Sequence, residues 1–410
     1  MLVERPLYLE RIEPFIDAPV VKILVGIRRA GKSSLLEQVK GLLRRRGVTK
    51  EQIIQINFED LKYTGVRTKT DFVELITGSM RGEEKYYILL DEVQLVEGWD
   101  EVVNGLLAGG QADIYITGSN SKLLSSELST YLTGRYVNIR VFPLSFSEAL
   151  EFKRVRGLLD DVELTREQVA KEFREYRQKG GFPILHALDY AKEDGDKAVE
   201  DIYTSIIYRD LIERKKIRNT ELLTRIIKYL FDNVGNVFSA RSVASYLKSE
   251  MRTVDVETVY NYLDWLAEVF VIQRVERYDL RGKTVMKVQE KYYLGDVGLL
   301  YALNGRKNSY LPGVLENLVY LELVSKGYEV HIGKNGDREI DFVAEKKGRK
   351  LYLQVVAHMY EPKTAEREYA AFKGIEDNYP KYILTLDEEG EGDEREGIEV
   401  KYLPEFLLEL

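Results

Sequence analysis

The sequence reads as an α/β protein with four parts in order: a parallel-sheet core, a helical lid, a winged helix and a second α/β module. Three observations carry that reading. Short apolar runs alternate with helical patterns from Val21 to Val141, and a glycine-rich turn over Gly26–Ser33 joins the first run to the first long helix. Further on, three helical patterns are followed directly by two strand patterns. At 410 residues the chain is long enough for two or three domains.

The apolar runs are 21–25, 53–58, 86–90, 113–117 and 136–142. Four are almost continuously apolar, as expected of strands covered on both faces, so about five parallel strands with helices on either side are predicted for a core spanning 1–145. Helical patterns over 145–155 and 198–216, with a Gly-Gly-Phe-Pro turn at 180–183 between them, mark a lid over 146–218. The helices at 222–234, 239–249 (N-capped by Ser239) and 256–272 precede two strands joined at Arg281-Gly282-Lys283, a winged-helix pattern over 219–290. A helix carrying Glu316 and strands around 329–333, 337–346, 350–358 and 381–386 form the module over 291–410, in which the acidic stretch 387–397 reads as a solvated loop.

Composition excludes several classes. With 44% hydrophobic and 31% charged residues and 9 prolines, the chain is an ordinary packed protein. Zero cysteines exclude disulfides, thiolate zinc sites and cysteine nucleophiles, and three histidines leave little for a histidine metal site. The net charge of −8 argues against a globally basic nucleic-acid coat. No stretch approaches the roughly 18 uninterrupted apolar residues of a membrane span, so a cytoplasmic protein without a membrane partner is the default expectation. Abundant Lys, Arg and Glu without Cys resembles the bias of heat-adapted proteins.

Gly26-Ile27-Arg28-Arg29-Ala30-Gly31-Lys32-Ser33 satisfies GxxxxGK[ST] between a strand and a helix that continues with Ser34. Glycines at both ends let the backbone curl around an anion at a helix N-terminus, where unpaired N–H groups and the helix dipole favour phosphate. The pattern assigns Lys32 to the β and γ phosphates of a nucleotide and the Ser33 hydroxyl to magnesium. The apolar strand ending in Asp91-Glu92 supplies the second half, with Asp91 for the magnesium shell and Glu92 to polarise the attacking water. The next strand ends in Thr117-Gly118-Ser119-Asn120 and is expected between the other two, which makes Ser119 or Asn120 the candidate γ-phosphate sensor. Arg135, Arg28 and Arg29 are candidates for stabilising transition-state charge, from the same or a neighbouring subunit; Arg28 and Arg29 could equally face solvent or bind acids of the lid.

Together, GIRRAGKSS, LLDEVQLVEGW, TGSN, LTGR with the following PLSFSEAL, GGFP, and EIDFV with LQVVA resemble the predicted archaeal and bacterial ATPases of the AAA+ superfamily that are related to STAND ATPases. Members carry a C-terminal domain of unknown function similar to restriction endonucleases. The resemblance implies ATP binding and hydrolysis with Mg2+ by Lys32, Ser33, Asp91 and Glu92, and it places Pro183 of the GGFP turn near the adenine. It also implies a nuclease-like C-terminal fold, in which a helix carboxylate and a strand acid are followed by E-x-K. This chain offers Glu316 and Asp341, but Gln354 and Val356 stand where the glutamate and lysine belong.

The recognition helix of the winged helix exposes Asp255, Glu257, Asp264 and Glu268 and offers only Asn261 and Tyr262 to base edges. The hairpin is the better duplex-DNA surface, through Arg274, Arg277, Arg281, Lys283, Lys287 and Lys291. The leading expectation is an ATP-driven switch controlling the winged helix and C-terminal module. An ATP-regulated nuclease and a nucleotide-gated protein-binding module are the alternatives.

Overall fold

The structure, a computed structural model, describes residues 2–120, 134–187, 192–238, 240–249, 254–282 and 284–410. They form two compact units, Met1–Phe142 with Glu268–Phe270, and Pro143–Ala267 with Val271–Leu410. Ser239 and Lys283 lie outside the described residues.

In the first unit, helix α1 (Pro6–Ile12) precedes β1 (Val21–Val25), α2 (Lys32–Arg45), β2 (Ile53–Asn57), α3 (Lys69–Ser79), β3 (Tyr86–Asp91), α4 (Trp99–Ala108), β4 (Ala112–Gly118) and β5 (Tyr136–Arg140). The five strands are parallel in the order β2-β3-β4-β1-β5. Every residue of β1, β3 and β4 is buried, as the unbroken apolar runs require of strands covered on both faces. The edge strands β2 and β5 are only partly buried. Helix α3 starts with a reciprocal Thr68–Asp71 capping box, which satisfies orphan N–H groups of its first turn. The chain returns to this unit at Phe270, buried in a left-handed conformation (φ 61°) with its ring 5.0 Å from the Arg140 guanidinium.

The second unit opens with α5 (Phe146–Val155), α6 (Arg166–Lys179), α7 (Pro183–Ala187) and α8 (Lys192–Ser205), which runs into a π-helical segment, Ile206–Glu213. Helices α5 and α6 each begin with a capping box, Ser145–Glu148 and Thr165–Gln168. Then come α9 (Thr220–Asp232), β6 (Val237–Phe238), α10 (Ala240–Ser249), α11 (Val256–Glu268) and the hairpin β7 (Ile272–Asp279) and β8 (Thr284–Leu294). The chain continues through α12 (Gly298–Asn304), α13 (Leu311–Ser325), β9 (Glu329–Asn335), β10 (Arg338–Lys346), β11 (Arg349–Val356), α14 (Pro362–Ala371), β12 (Lys381–Thr385), β13 (Glu394–Arg395), β14 (Ile398–Tyr402) and α15 (Leu403–Glu409).

Here the hairpin is not a free wing. Strand β7 pairs in parallel with β9 through Arg277↔Ile332, Tyr278↔Gly333 and Asp279↔Lys334, so the hairpin and the C-terminal strands make one mixed sheet ordered β13-β14-β12-β11-β10-β9-β7-β8-β6. The expected division at 290/291 falls inside β8 because local patterning cannot show which later strand a hairpin edge will meet.

The first unit buries an ion pair. Lys22 of β1 bonds Asp113 of β4, both side chains are fully buried, and Asp113 also accepts from Asp17 N (2.9 Å) and Tyr115 OH (3.0 Å). Burial pushes the Lys22 ammonium down in pKa, and Asp113 opposes it. Lys22→Met strands a buried carboxylate and is expected to cost about 3–5 kcal/mol, whereas adding Asp113→Asn recovers part of that loss. Denaturant unfolding of the two variants checks both values.

Candidate functional site

Strand β1 ends at Val25, and the chain turns through Gly26–Gly31 into α2. A Cβ on Gly26 would lie 2.0 Å from the Val141 carbonyl oxygen, so only glycine lets the loop pass the chain leaving β5. Gly31 adopts φ 96° and caps α2 without any side-chain bond, which leaves the first N–H groups of a 14-residue helix available to an anion. Ile27 and Ala30 point into the core at 2% and 0% exposure, whereas Arg29, with φ 67°, is exposed. Lys32 is buried, and its Nζ donates to the carbonyls of Gly26 and Ile27 at 2.9 and 3.0 Å. A buried ammonium beside an uncapped helix start suits a polyphosphate.

Strand β4 lies between β1 and β3, so the ends of all three strands reach the same sheet edge. Asp91 closes β3 at 5% exposure and lines one cleft of about 830 Å3 with Ser33 and Ser34. A hydroxyl and a carboxylate facing one cleft are a donor set that fits magnesium. Glu92 is held in a left-handed conformation, φ 55° and ψ 44°, which turns it off the strand path. Burial raises its carboxyl pKa and the Lys32 ammonium opposes that rise, while Gln94 Nε2 donates to its Oε2.

Thr117 is a residue that sequence reasoning missed. Its hydroxyl donates to Asp91 Oδ1 and accepts from the Glu92 backbone N–H at 3.1 Å, tying both acids to β4. Its signal was an aliphatic hydroxyl near the end of an apolar strand expected beside the acidic one. Ser119 and Asn120 follow β4 at 3% and 0% exposure, so both candidate sensors are buried at this edge. The residues that follow them, 121–133, lie outside the described residues.

Arg135 is placed elsewhere. Its carbonyl accepts from Val21 N at 2.9 Å and the pairing runs from Val21↔Tyr136 to Val25↔Arg140, so it sits at the opposite end of β1 from the loop. Four strand steps separate the two ends, roughly 13 Å. The parallel register therefore removes Arg135 from the phosphate loop of its own chain. Arg28 pairs with Glu59 at 2.6 Å, an acid following β2 and not one of the lid. Arg5 is 2% exposed and donates to Ala30 O and Phe142 O, both at 3.0 Å. It braces the back of the loop.

In the second unit, Pro183 starts α7 after the Gly180-Gly181 turn. Gly181 N and Gly298 N donate to Asp296 at 2.6 and 2.7 Å, and Leu144 N donates to Gly181 O. A Cβ on Gly180 would meet Asp296 at 2.0 Å and one on Gly181 would meet Leu144 O at 2.3 Å, so tight backbone packing accounts for the glycine pair. Burial pushes Asp296 up to about 7 and His186, whose Nε2 donates to Gly180 O, down to about 4.

Three of the cations expected to contact DNA, Arg274, Arg277 and Lys291, are committed within this unit. Arg274 pairs with Asp264 (2.7 Å) and Glu290 (3.3 Å), Arg277 with Glu339, and Lys291 is 3% exposed among acids. Tyr262 is buried with its hydroxyl on Asn219 O, whereas Asn261 is exposed. No helix among the described residues is long and apolar enough to cross a membrane.

Comparison with known proteins agrees with this geometry. A family profile described as an AAA domain matches residues 19–150, and one described as a domain of unknown function matches residues 170–310. The chain is 37% identical over 409 residues to an uncharacterized protein of Haemophilus influenzae, covering 100% of this chain and 99% of the other. An uncharacterized protein of Methanocaldococcus jannaschii is 30% identical over 380 residues, covering 90% and 83%. A solved Walker-type ATPase of Pyrococcus abyssi shares the fold with a TM-score of 0.51 at 16% identity, covering 74% of this chain and 96% of that one.

If Thr117 positions the two acids, Thr117→Val should retain the unfolding temperature within a few degrees but lower phosphate release from ATP by about 10- to 100-fold. Thr117→Ser should keep most of the activity. A steady-state phosphate assay on both variants reads the difference.

Proposed function

The chain belongs to the family of these H. influenzae and M. jannaschii proteins, with an AAA domain at its head, and on that premise we propose that it is a magnesium-dependent ATPase whose turnover switches the conformation of its second unit. The observation that carries the reading is one sheet edge bearing an uncapped helix start, buried Lys32, and Asp91 and Glu92 tied to Thr117.

In this mechanism the backbone N–H groups of Gly26–Ser34 and the Lys32 ammonium receive the phosphates of the nucleotide, and Ser33 and Asp91 hold the metal. Magnesium, when bound, neutralises phosphate charge. Glu92 takes the proton of the water that attacks the γ phosphorus, as the bond to the β–γ bridging oxygen breaks to give ADP and inorganic phosphate. Gln94 orients the Glu92 carboxylate, and Ser119 or Asn120 orients the water. Pro183 is assigned to the adenine by resemblance to the family.

A route for the switch runs through Arg5, which bonds both the loop (Ala30 O) and Phe142 O, the last residue before the second unit begins at Pro143. Any displacement of the loop by its ligand is felt at that junction. The second unit, read as helical lid, winged helix and C-terminal module, responds to it. Its partner is read as a protein, because α11 exposes acids and Arg274, Arg277 and Lys291 already hold carboxylates.

Lys32→Ala should abolish nucleotide binding, while Glu92→Gln should keep binding and lose at least about 100-fold in turnover. Phosphate release by the unmutated chain should be indifferent to duplex DNA across salt concentrations. Normal turnover in Glu92→Gln would remove the assigned base, and a several-fold, salt-sensitive stimulation by DNA would restore duplex DNA as the partner.

A further inference from the structure

The nuclease-like pattern of the C-terminal module lacks its lysine on β11, where Val356 stands, yet a lysine arrives from elsewhere. Lys291 of β8 places Nζ 3.1 Å from Glu316 Oε2 on α13, and 2.9 Å from Glu339 Oε1 and 3.6 Å from Asp341 Oδ1 on β10. The remaining bonds of the cluster are internal as well. Tyr293 OH donates to Glu316 Oε2 at 2.9 Å, Arg277 pairs with Glu339, Val355 N donates to Asp341 Oδ2 at 2.8 Å, and Gln354 Oε1 accepts from Asp341 N at 3.2 Å.

Strands β8 and β10 are three places apart in the sheet, with β9 and β7 between them. In a flat sheet that separation is about 14 Å, beyond the reach of a lysine side chain. The register shifts at Val275/Arg277 in the β7–β8 pair and at Ile340/Val343 in the β9–β10 pair go with a sheet bent enough for Lys291 to cross it.

We infer that Lys291 is a built-in cation occupying the centre of the Glu316, Glu339 and Asp341 carboxylates where a metal ion would otherwise sit, so that the cluster ties the β7–β8 hairpin to the C-terminal strands instead of cleaving phosphodiesters. Its single positive charge touches all three acids at once, as an ion ligated by them would, and a divalent cation cannot take that position until the lysine leaves. Gln354 fits this arrangement, because an amide there adds no further negative charge for one ammonium to offset. Lys291, a lysine from another strand, therefore stands in for the metal of a hydrolytic site and not for the lysine missing from β11.

The test measures Mn2+ binding by calorimetry and thermal unfolding on the full chain without nucleotide, so that binding at Ser33 and Asp91 is common to every variant. Lys291→Ala should lower the unfolding temperature by roughly 10 °C, gain one Mn2+ site, and recover at least half of the loss when Mn2+ is added. Lys291→Ala/Asp341→Asn should lose the gained site. In the otherwise unmutated chain, Asp341→Asn should leave Mn2+ binding unchanged, a measurement that does not depend on the Lys291 variant folding. A fall in Mn2+ binding in Asp341→Asn alone overturns the inference. So does a folded Lys291→Ala that gains no site, and so does Mn2+-dependent plasmid nicking by the unmutated chain that disappears in Lys291→Ala.

Discussion

The parallel pairing of β1 with β4 on one side and β5 on the other is the constraint on which the first unit depends. In a parallel sheet all strands end at the same edge, so a loop leaving β1 meets the residues that close β3 and β4. That single fact brings Lys32, Ser33, Asp91, Glu92, Thr117, Ser119 and Asn120 to one edge. The same register carries Arg135 to the opposite one.

Several buried polar contacts then hold the edge in shape. Arg5 reaches two carbonyls from behind the loop, and Thr117 connects a donor and an acceptor on adjacent acids. Groups of this kind are costly to bury unpaired, which is why each has a partner close to ideal distance and why removing one is felt by its neighbours. Glycine contributes in a different way. At Gly26 and at the Gly180-Gly181 turn the neighbouring backbone or carboxylate occupies the volume a Cβ would need.

In the second unit three of the hairpin's cations are neutralised internally. Arg274, Arg277 and Lys291 of the hairpin, which read from the chain as part of a surface for phosphate, are turned onto Asp264, Glu290, Glu339 and Glu316. Cations so committed add little positive field to that hairpin. Lys291 shows the effect most fully, because its three partners lie 25 to 50 residues further along the chain on two different elements.

The legible part of this protein was whatever depends on neighbours in sequence. The five strands of the first sheet, the phosphate loop, the acidic strand end, and the helix and strand runs of the C-terminal module follow from hydrophobic period and from motifs a few residues long, since burial on both faces and helix starts are local demands on the chain. The position of β4 between β1 and β3 was also expected. What only tertiary structure decided were pairings across long separations. They include β7 with β9, Lys291 with Glu316, Glu339 and Asp341, Arg5 with Ala30 and Phe142, and the end of the sheet at which Arg135 emerges. A charged side chain looks the same in a sequence whether it will face water or a buried carboxylate, because its partner is chosen by the folding of the backbone and not by the residues beside it.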